Sequence, residues 1–334
     1  MNRVRVDPAA PDAAILARAA GILRGGGLVA FPTETVYGLG ANALDPAAIA
    51  RIYAAKGRPA YNPLIVHVPD SQRARALASD WPAAADLLAA AFWPGPLTLV
   101  VPRAPHVPDA VTAGRPNVAL RVPAHPVAHA LLVAADLPVA APSANRSTEI
   151  SPSTADHVAK SLGDRVDLIL DGGATPVGIE STVVSLLEHV PVLLRPGTIS
   201  LDQLRAVVGD VSTVQPRTAA DEARLSPGML DRHYAPRGRV VIAATADVRA
   251  LLADAREGGA RPGAIVHSRE AVPDSIDAEV QRLPAEAGAY AAGLYAAMHA
   301  LDDAACDPIV IERVPEGGAW AGVRDRLRRA AHAG

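Results

Sequence analysis

The chain has 334 residues, 50% hydrophobic and 20% charged, with a formal net charge of −3, which excludes a mainly disordered protein. The length predicts two domains, each long enough to bury its own core. The first 205 residues carry 17 basic and 17 acidic side chains, so a broad nucleic-acid-binding surface is not indicated, although a local cationic pocket is compatible with this balance.

Neither the cysteine content nor the apolar runs indicate secretion or a membrane. The single cysteine, Cys306, excludes an internal disulfide and is typical of a reducing cytosol. The longest uncharged runs, 87–102 and 287–301, fall short of the roughly 18 residues that a membrane helix needs. The first twelve residues lack the apolar block of a signal peptide. We therefore expect a soluble, cytoplasmic protein.

Apolar runs and helical patterns alternate along the first 200 residues, which predicts an α/β domain over residues 1–208. One helix is predicted to begin after Asp45, an N-cap followed by Pro46, and another after Ser200, which forms a capping box with Gln203. Short apolar runs bounded by Gly or Pro predict strands at 28–31, 64–68, 97–101, 118–122, 139–141, 168–170, 182–187 and 192–194.

Residues 209–238 are predicted to be a linker, because the apolar periodicity lapses there. The linker contains the motif SPGMLDRHYAP at 226–236. Over 239–334, predicted strands at 240–243, 264–267 and 309–311 alternate with helices at 246–256, within 285–305 and around 321–331. Strands separated by such helices predict parallel βαβ units, and so a smaller Rossmann-like domain.

Common catalytic and ligand-binding motifs are not fulfilled. The segment 38–43 matches G-x-G-x-x-A, but no acidic residue follows about 20 residues later, and 173–178 has P-loop glycine spacing without the lysine. The ten histidines form no ligand cluster, so no metal site is predicted. Cys306 stands among acidic residues that would raise its pKa, so no protein nucleophile is predicted either.

Four cations stand where a hydrophobic core does not need them. Lys56 and Arg58 follow a predicted helix on irregular backbone, where both can converge on one anion, although Lys56 could instead merely complement its helix C-terminus. Arg121 interrupts an apolar strand, so its charge must be paired or face a cleft. Arg195 stands at another strand edge.

Hydroxyl and amide donors accompany these cations. Ser143 and Asn145 end a predicted strand, and Ser181 lies at the edge of another. Ser151 is either a further donor or the N-cap of a helix that begins at Pro152. Cations with such donors predict a polyanion pocket that acts by positioning and electrostatic stabilisation.

Four motifs occur together in this chain, in the order that a known family has them: PTETVYGL at 32–39, Lys56-x-Arg58, Ser143-x-Asn145 and the 226–236 motif. In this combination the whole chain resembles the two-domain, long form of the YrdC-type threonylcarbamoyl-AMP synthases. The resemblance implies a twisted open α/β sheet with a deep concave cavity, joined by a linker to a Rossmann-like domain.

The resemblance also implies the reaction. A nucleotidyltransferase of this family converts ATP, L-threonine and bicarbonate or CO2 into threonylcarbamoyl-AMP and pyrophosphate. A separate tRNA threonylcarbamoyl transferase complex then modifies the adenosine next to the anticodon. Mg²⁺ would be held mainly through the ATP phosphates. Neither a stable nucleic-acid complex nor membrane association is expected.

Site residues follow from the family's motifs, position by position. Those expected to contact L-threonine are Thr35, His67, Arg121 and Ser181, with Ala141 through its backbone. Those expected to contact ATP are Lys56, Arg58, Asn62, Ser143, Asn145, Ser151 and Arg195, with Asn117 through its backbone. Lys56 and Arg58 are also the predicted catalytic residues, and Tyr234 of the linker would close over the site, unless it only packs between the domains.

Two other functions remain open. A carbamoyl-adenylate maturation enzyme would use the same sheet, but such proteins carry cysteine-rich zinc modules and this chain has one cysteine. A non-enzymatic protein that binds double-stranded RNA or assists ribosome assembly could use a basic cavity, but the charge balance of the first domain argues against it.

Overall fold

The computed structural model describes residues 2–59, 61–213, 234–272 and 278–331. The chain forms two compact units. The first comprises Met1–Ser147, Pro152–Pro176 and Glu180–Met229, and the second comprises Thr148–Ser151, Val177–Ile179 and Leu230–Gly334. The predicted boundaries at 208 and 239 stay a prediction, because most of the linker, with its SPGM motif, lies outside the described residues.

A large mixed sheet forms the centre of the first unit. Within the described residues its strands are β1 (Arg3–Arg5), β2 (Val29–Pro32), β3 (Tyr37–Asn42), β4 (Ile65–His67), β5 (Leu97–Pro102), β6 (Asn117–Arg121), β7 (Val139–Ala140), β8 (Leu168–Asp171), β9 (Thr182–Ser185), β10 (Val192–Arg195) and β11 (Ser212–Thr213). Their spatial order is β1-β8-β2-β3-β7-β4-β6-β5-β9-β10-β11. All eight predicted strands are present, with ends shifted by one or two residues.

Helices cover both faces of this sheet. They are α1 (Ala13–Arg24), α2 (Pro46–Lys56), α3 (Ser71–Ala76), α4 (Ala83–Phe92), α5 (Asp109–Thr112), α6 (Pro126–Ala135), α7 (Ala155–Leu162) and α8 (Leu201–Val208). Alternate residues of β2 enter two different cores: Ala30 lies in the core that includes Ile49 of α2, whereas Phe31 lies in the core that includes Leu23 of α1. The N-cap Asp45 and the capping box at Ser200 form as predicted.

Strand β3 was not predicted, because its glycines resemble a loop. A Cβ at Gly40 would lie 2.8 Å from Phe31 Cε1 and 2.9 Å from Val139 Cγ1, so close packing against neighbouring strands requires glycine there. The segment 38–43 is therefore mainly strand rather than a phosphate-binding turn.

The second unit is a small parallel α/β domain. Its strands β12 (Val240–Ala243), β13 (Gly263–Val266), β14 (Glu279–Arg282) and β15 (Ile309–Glu312) lie in the order β12-β15-β13-β14, and its helices are α9 (Thr245–Glu257), α10 (Ala287–Asp303) and α11 (Ala321–Ala331). Every strand pair is parallel, which confirms the predicted βαβ arrangement. No helix in the described part of either unit is long and apolar enough to cross a membrane.

Candidate functional site

Lys56 joins the end of α2 to the segment that carries Ser143 and Asn145. Helix α2 ends at Lys56 because Gly57 adopts the left-handed conformation, with φ of 59°. Lys56 is 3% exposed, and its ammonium donates to the carbonyl oxygens of Ser143, at 2.6 Å, and Asn145. The two motifs that are predicted to bind the nucleotide therefore lie together. This buried geometry is not that of an exposed lysine that only complements the C-terminus of its helix.

Arg58 and Asn62 form the next part of the site. The buried Arg58 guanidinium donates to the carbonyl oxygens of Asn62, at 3.3 Å, and Pro63, at 3.0 Å. The Asn62 side chain is 1% exposed, yet neither its Oδ1 nor its Nδ2 has a hydrogen-bond partner within the described residues. Each such buried polar atom costs about 1–3 kcal/mol, so the fold leaves an unsatisfied amide donor and acceptor at this position.

Arg121, at the end of β6, is both paired and buried. Its Nη2 forms a 2.7 Å ion pair with Glu34 Oε1, its Nη1 donates to Thr35 Oγ1 at 2.9 Å, and its Nε donates to the Gly95 carbonyl at 3.3 Å. The other Glu34 oxygen accepts from the Ala124 N–H at 3.1 Å. Arg121 and Thr35 are among the residues predicted from the sequence, whereas Glu34, which neutralises the arginine, is not.

His67 lies beside Arg121, because β4 and β6 pair in a register that aligns these two residues. Its ring stands edge-on to Phe31, with centroids 6.4 Å apart. Burial, reinforced by the Arg121 charge, lowers the pKa of His67 to about 3. His67 Nδ1 has no hydrogen-bond partner within the described residues, so a neutral imidazole offers one unsatisfied nitrogen.

Ser181 and Arg195 form a second hydrogen-bonded group. Arg195 donates through Nε to the Ser181 carbonyl and through Nη2 to Ser181 Oγ, both at 3.1 Å. Ser181 Oγ also lies 2.8 Å from Thr98 Oγ1 on β5. The structure therefore brings together a predicted threonine contact and a predicted nucleotide contact.

Asn117 and Ala141 stand at or next to the ends of strands. Asn117 begins β6, at the opposite end from Arg121, and the register of β4 and β6 turns that end toward residues 62–64. The Ala141 N–H donates to the Ile65 carbonyl at 2.9 Å. Within the described parts of the chain, no cluster of three or more His, Cys, Asp or Glu side chains could hold a metal ion.

Comparison with known proteins covers almost the whole chain. A family model described as telomere recombination (Sua5, YciO and YrdC) matches residues 21–197, and one described as the threonylcarbamoyl-AMP synthase C-terminal domain matches 199–332. The threonylcarbamoyl-AMP synthase of Pyrococcus abyssi is 43% identical over 323 residues, covering 94% of this chain and 93% of the relative. That of Bacillus subtilis is 43% identical over 320 residues, covering 95% and 92%.

This chain belongs to the threonylcarbamoyl-AMP synthase family. Its structure resembles P. abyssi Sua5 complexed with L-threonine, with a TM-score of 0.91, 41% identity and coverage of 99% of this chain and 97% of the other. The predicted α/β fold class and enzyme class, a nucleotidyltransferase that forms threonylcarbamoyl-AMP for tRNA modification, are confirmed. The alternative functions gain no support.

Two predicted residues of this threonylcarbamoyl-AMP synthase family member belong to its second unit. Ser151 is fully buried and does not cap a helix, because α7 begins later with Thr154 as its N-cap. Tyr234 is also buried, with its ring 5.8 Å from that of Tyr295 and the Arg326 guanidinium 5.4 Å from its centroid. Tyr234 thus packs within its own unit, and its closure over the site stays a prediction.

Proposed function

We propose that the group around Lys56 and Arg58 binds ATP, that the group around Arg121 binds L-threonine, and that together they form threonylcarbamoyl-AMP. The observation that carries this assignment is the buried Arg121–Glu34 ion pair beside His67, a neutralised cation unlike the usual environment for a triphosphate. A related protein, P. abyssi Sua5, was solved with L-threonine, which supports this amino acid as the substrate.

The charge of the Arg121 group suits threonine better than phosphate. Arg121 uses three of its five N–H groups on protein acceptors within the described residues, which leaves two for a carboxylate. The Glu34 carboxylate would repel a polyanion, but an amino acid of zero net charge avoids that penalty. Thr35, Ser181 and the unsatisfied nitrogen of His67 can orient the remaining polar groups of threonine.

The residues around Lys56 and Arg58, here called the nucleotide group, provide positive charge and an amide. Lys56, Arg58 and Arg195 would face the phosphates, and the unsatisfied Asn62 amide would bind the nucleotide. Ser143, Asn145, Ser151 and Asn117 are proposed to complete this group, with Tyr234 closing over it. Mg²⁺ would be held mainly by the phosphates, which provide the oxygen ligands it prefers.

The substrates supply the reacting atoms. The threonine ammonium first loses a proton to solvent, and the free amine then attacks CO2 and loses a second proton to form a carbamate. A carbamate oxygen next attacks the α-phosphorus as the bond to pyrophosphate breaks. The negative charge that develops on the phosphates is stabilised by the cations, so the residues position and stabilise rather than react. We infer that the product passes to a tRNA threonylcarbamoyl transferase complex in the cytoplasm, without a stable enzyme–RNA complex.

Release of pyrophosphate from ATP tests this proposal. We expect release by the purified chain to require L-threonine and bicarbonate together, and to yield one threonylcarbamoyl-AMP per pyrophosphate. Release that is independent of threonine would refute the assignment. RNA binding with a steep dependence on salt, without pyrophosphate release, would instead favour the RNA-binding alternative.

A further inference from the structure

Two short segments from the first 179 residues belong to the second unit. Thr148–Ser151 follows Asn145 of the nucleotide group, and Val177–Ile179 precedes Ser181 of the threonine group. Each segment is thus covalently continuous with one proposed substrate group. A contact that holds either segment in place therefore also restrains its neighbour in the chain, Asn145 for the first segment and Ser181 for the second.

Helix α10 contacts both segments from one face. Gly178 has φ of 77°, and a Cβ there would lie 2.4 Å from the Ala291 carbonyl oxygen, so only glycine allows this approach. Two turns further along, His299 Nε2 lies 3.1 Å from the Ser151 carbonyl oxygen, and its ring is buried. Between them, Tyr295 packs against Tyr234. Positions four residues apart share one side of a helix.

The Thr148–Ser151 segment needs such support. Thr148 adopts φ of 73°, a left-handed conformation that is strained for a β-branched residue. Its carbonyl accepts from the Ala235 N–H at 3.0 Å, and the Ser151 carbonyl accepts from His299. Because a buried carbonyl without a donor is costly, the His299 bond favours this one conformation of the segment.

We propose that this face of α10 is a positioning surface for the substrate-binding segments, and that His299 is a positioning residue for ATP through Ser151. The inference rests on the proposed function, in which Ser151 contacts the nucleotide. It gives the second unit a part in the reaction: its helix fixes the conformation of segments that continue into the two substrate groups.

Two substitutions at one position separate positioning from folding. His299→Leu fills the buried space with an apolar side chain but removes the donor, whereas His299→Gln retains an N–H at similar reach. We expect His299→Leu to raise the ATP KM about tenfold and leave the threonine KM within twofold, and His299→Gln to stay within threefold of wild type for both. His189→Ala, at an exposed histidine, is the matched control and should change neither KM.

Loss of folded protein would lower kcat and leave both KM values unchanged, and that outcome would overturn the positioning role. Unaltered kinetics in His299→Leu would overturn it as well. If His299→Leu does not fold, Gly178→Ala tests the other segment, and there the threonine KM should rise more than the ATP KM. Threonine-independent pyrophosphate release by the wild type would reject the proposed function itself, which distinguishes the two failures.

Discussion

Variants of the Glu34–Arg121 pair can separate an effect on the free energy of unfolding from an effect on threonine binding. Arg121→Met would leave the Glu34 carboxylate, whose side chain is 8% exposed, without its cation. Removing one partner of a buried ion pair costs about 3–5 kcal/mol, and we expect that loss in the free energy of unfolding. The threonine KM should also rise about 10- to 100-fold, because a hydrogen bond to a charged group contributes about 1.5–3 kcal/mol.

The double variant Glu34→Gln/Arg121→Met removes both charges. Replacing a whole buried pair with uncharged residues is often close to neutral, so most of the lost stability should return. Threonine binding should not return, because the cation for its carboxylate is still absent. Urea unfolding and steady-state kinetics with each substrate would measure the two effects. Recovery of the threonine KM in the double variant, or equal rises in both KM values for Arg121→Met, would show that Arg121 is only a structural charge.

Three further predictions concern other residues. Lys56→Met should lower kcat/KM at least about 30-fold, equivalent to about 2 kcal/mol, whereas Lys160→Met, at the exposed second lysine, should not. The pKa of His67 is about 3 in the folded chain, against an ordinary histidine value of 6.5, so the unfolded chain binds the proton first and stability falls as pH drops below 6.5. Between pH 7.5 and pH 5, the free energy of unfolding measured with urea should fall for wild type by on the order of 2 kcal/mol more than for His67→Gln. Tyr234→Phe keeps the ring stacking, so a shorter lifetime of the adenylate would support closure by the hydroxyl, and an unchanged lifetime would support packing alone.

Most strands of the first unit can be predicted because the local sequence of each is enough to identify it. Apolar runs bounded by Gly or Pro mark buried strands wherever side chains fill the space between layers, as in the run that ends at Val101. The rule fails for β3, where Phe31 and Val139 occupy the space that a side chain at Gly40 would need. Such close packing depends on residues distant in sequence, so the sequence of β3 alone does not show it.

The site was predictable where charge stands out against an apolar background. Arg121 interrupts an apolar strand, and Lys56 is one of two lysines, so both are visible in the sequence. Glu34 and His299 carry no comparable signal, because acidic residues and histidines are common in exposed turns and helices. Their partners, Arg121 and Ser151, lie 87 and 148 residues away, and only the fold brings them together.

Strand β6 links the two proposed substrate groups. Asn117 and Arg121 stand at its ends, about 13 Å apart at roughly 3.3 Å per residue. All five residues of the strand are buried, and the strand pairs with β4 over residues 119–121 and with β5 over residues 117–120, so it cannot slide without breaking both ladders. The separation between the proposed nucleotide and threonine contacts is therefore set by the extended backbone of this strand. The two neighbouring strands hold it in place, which provides the positioning that a reaction between two bound substrates requires.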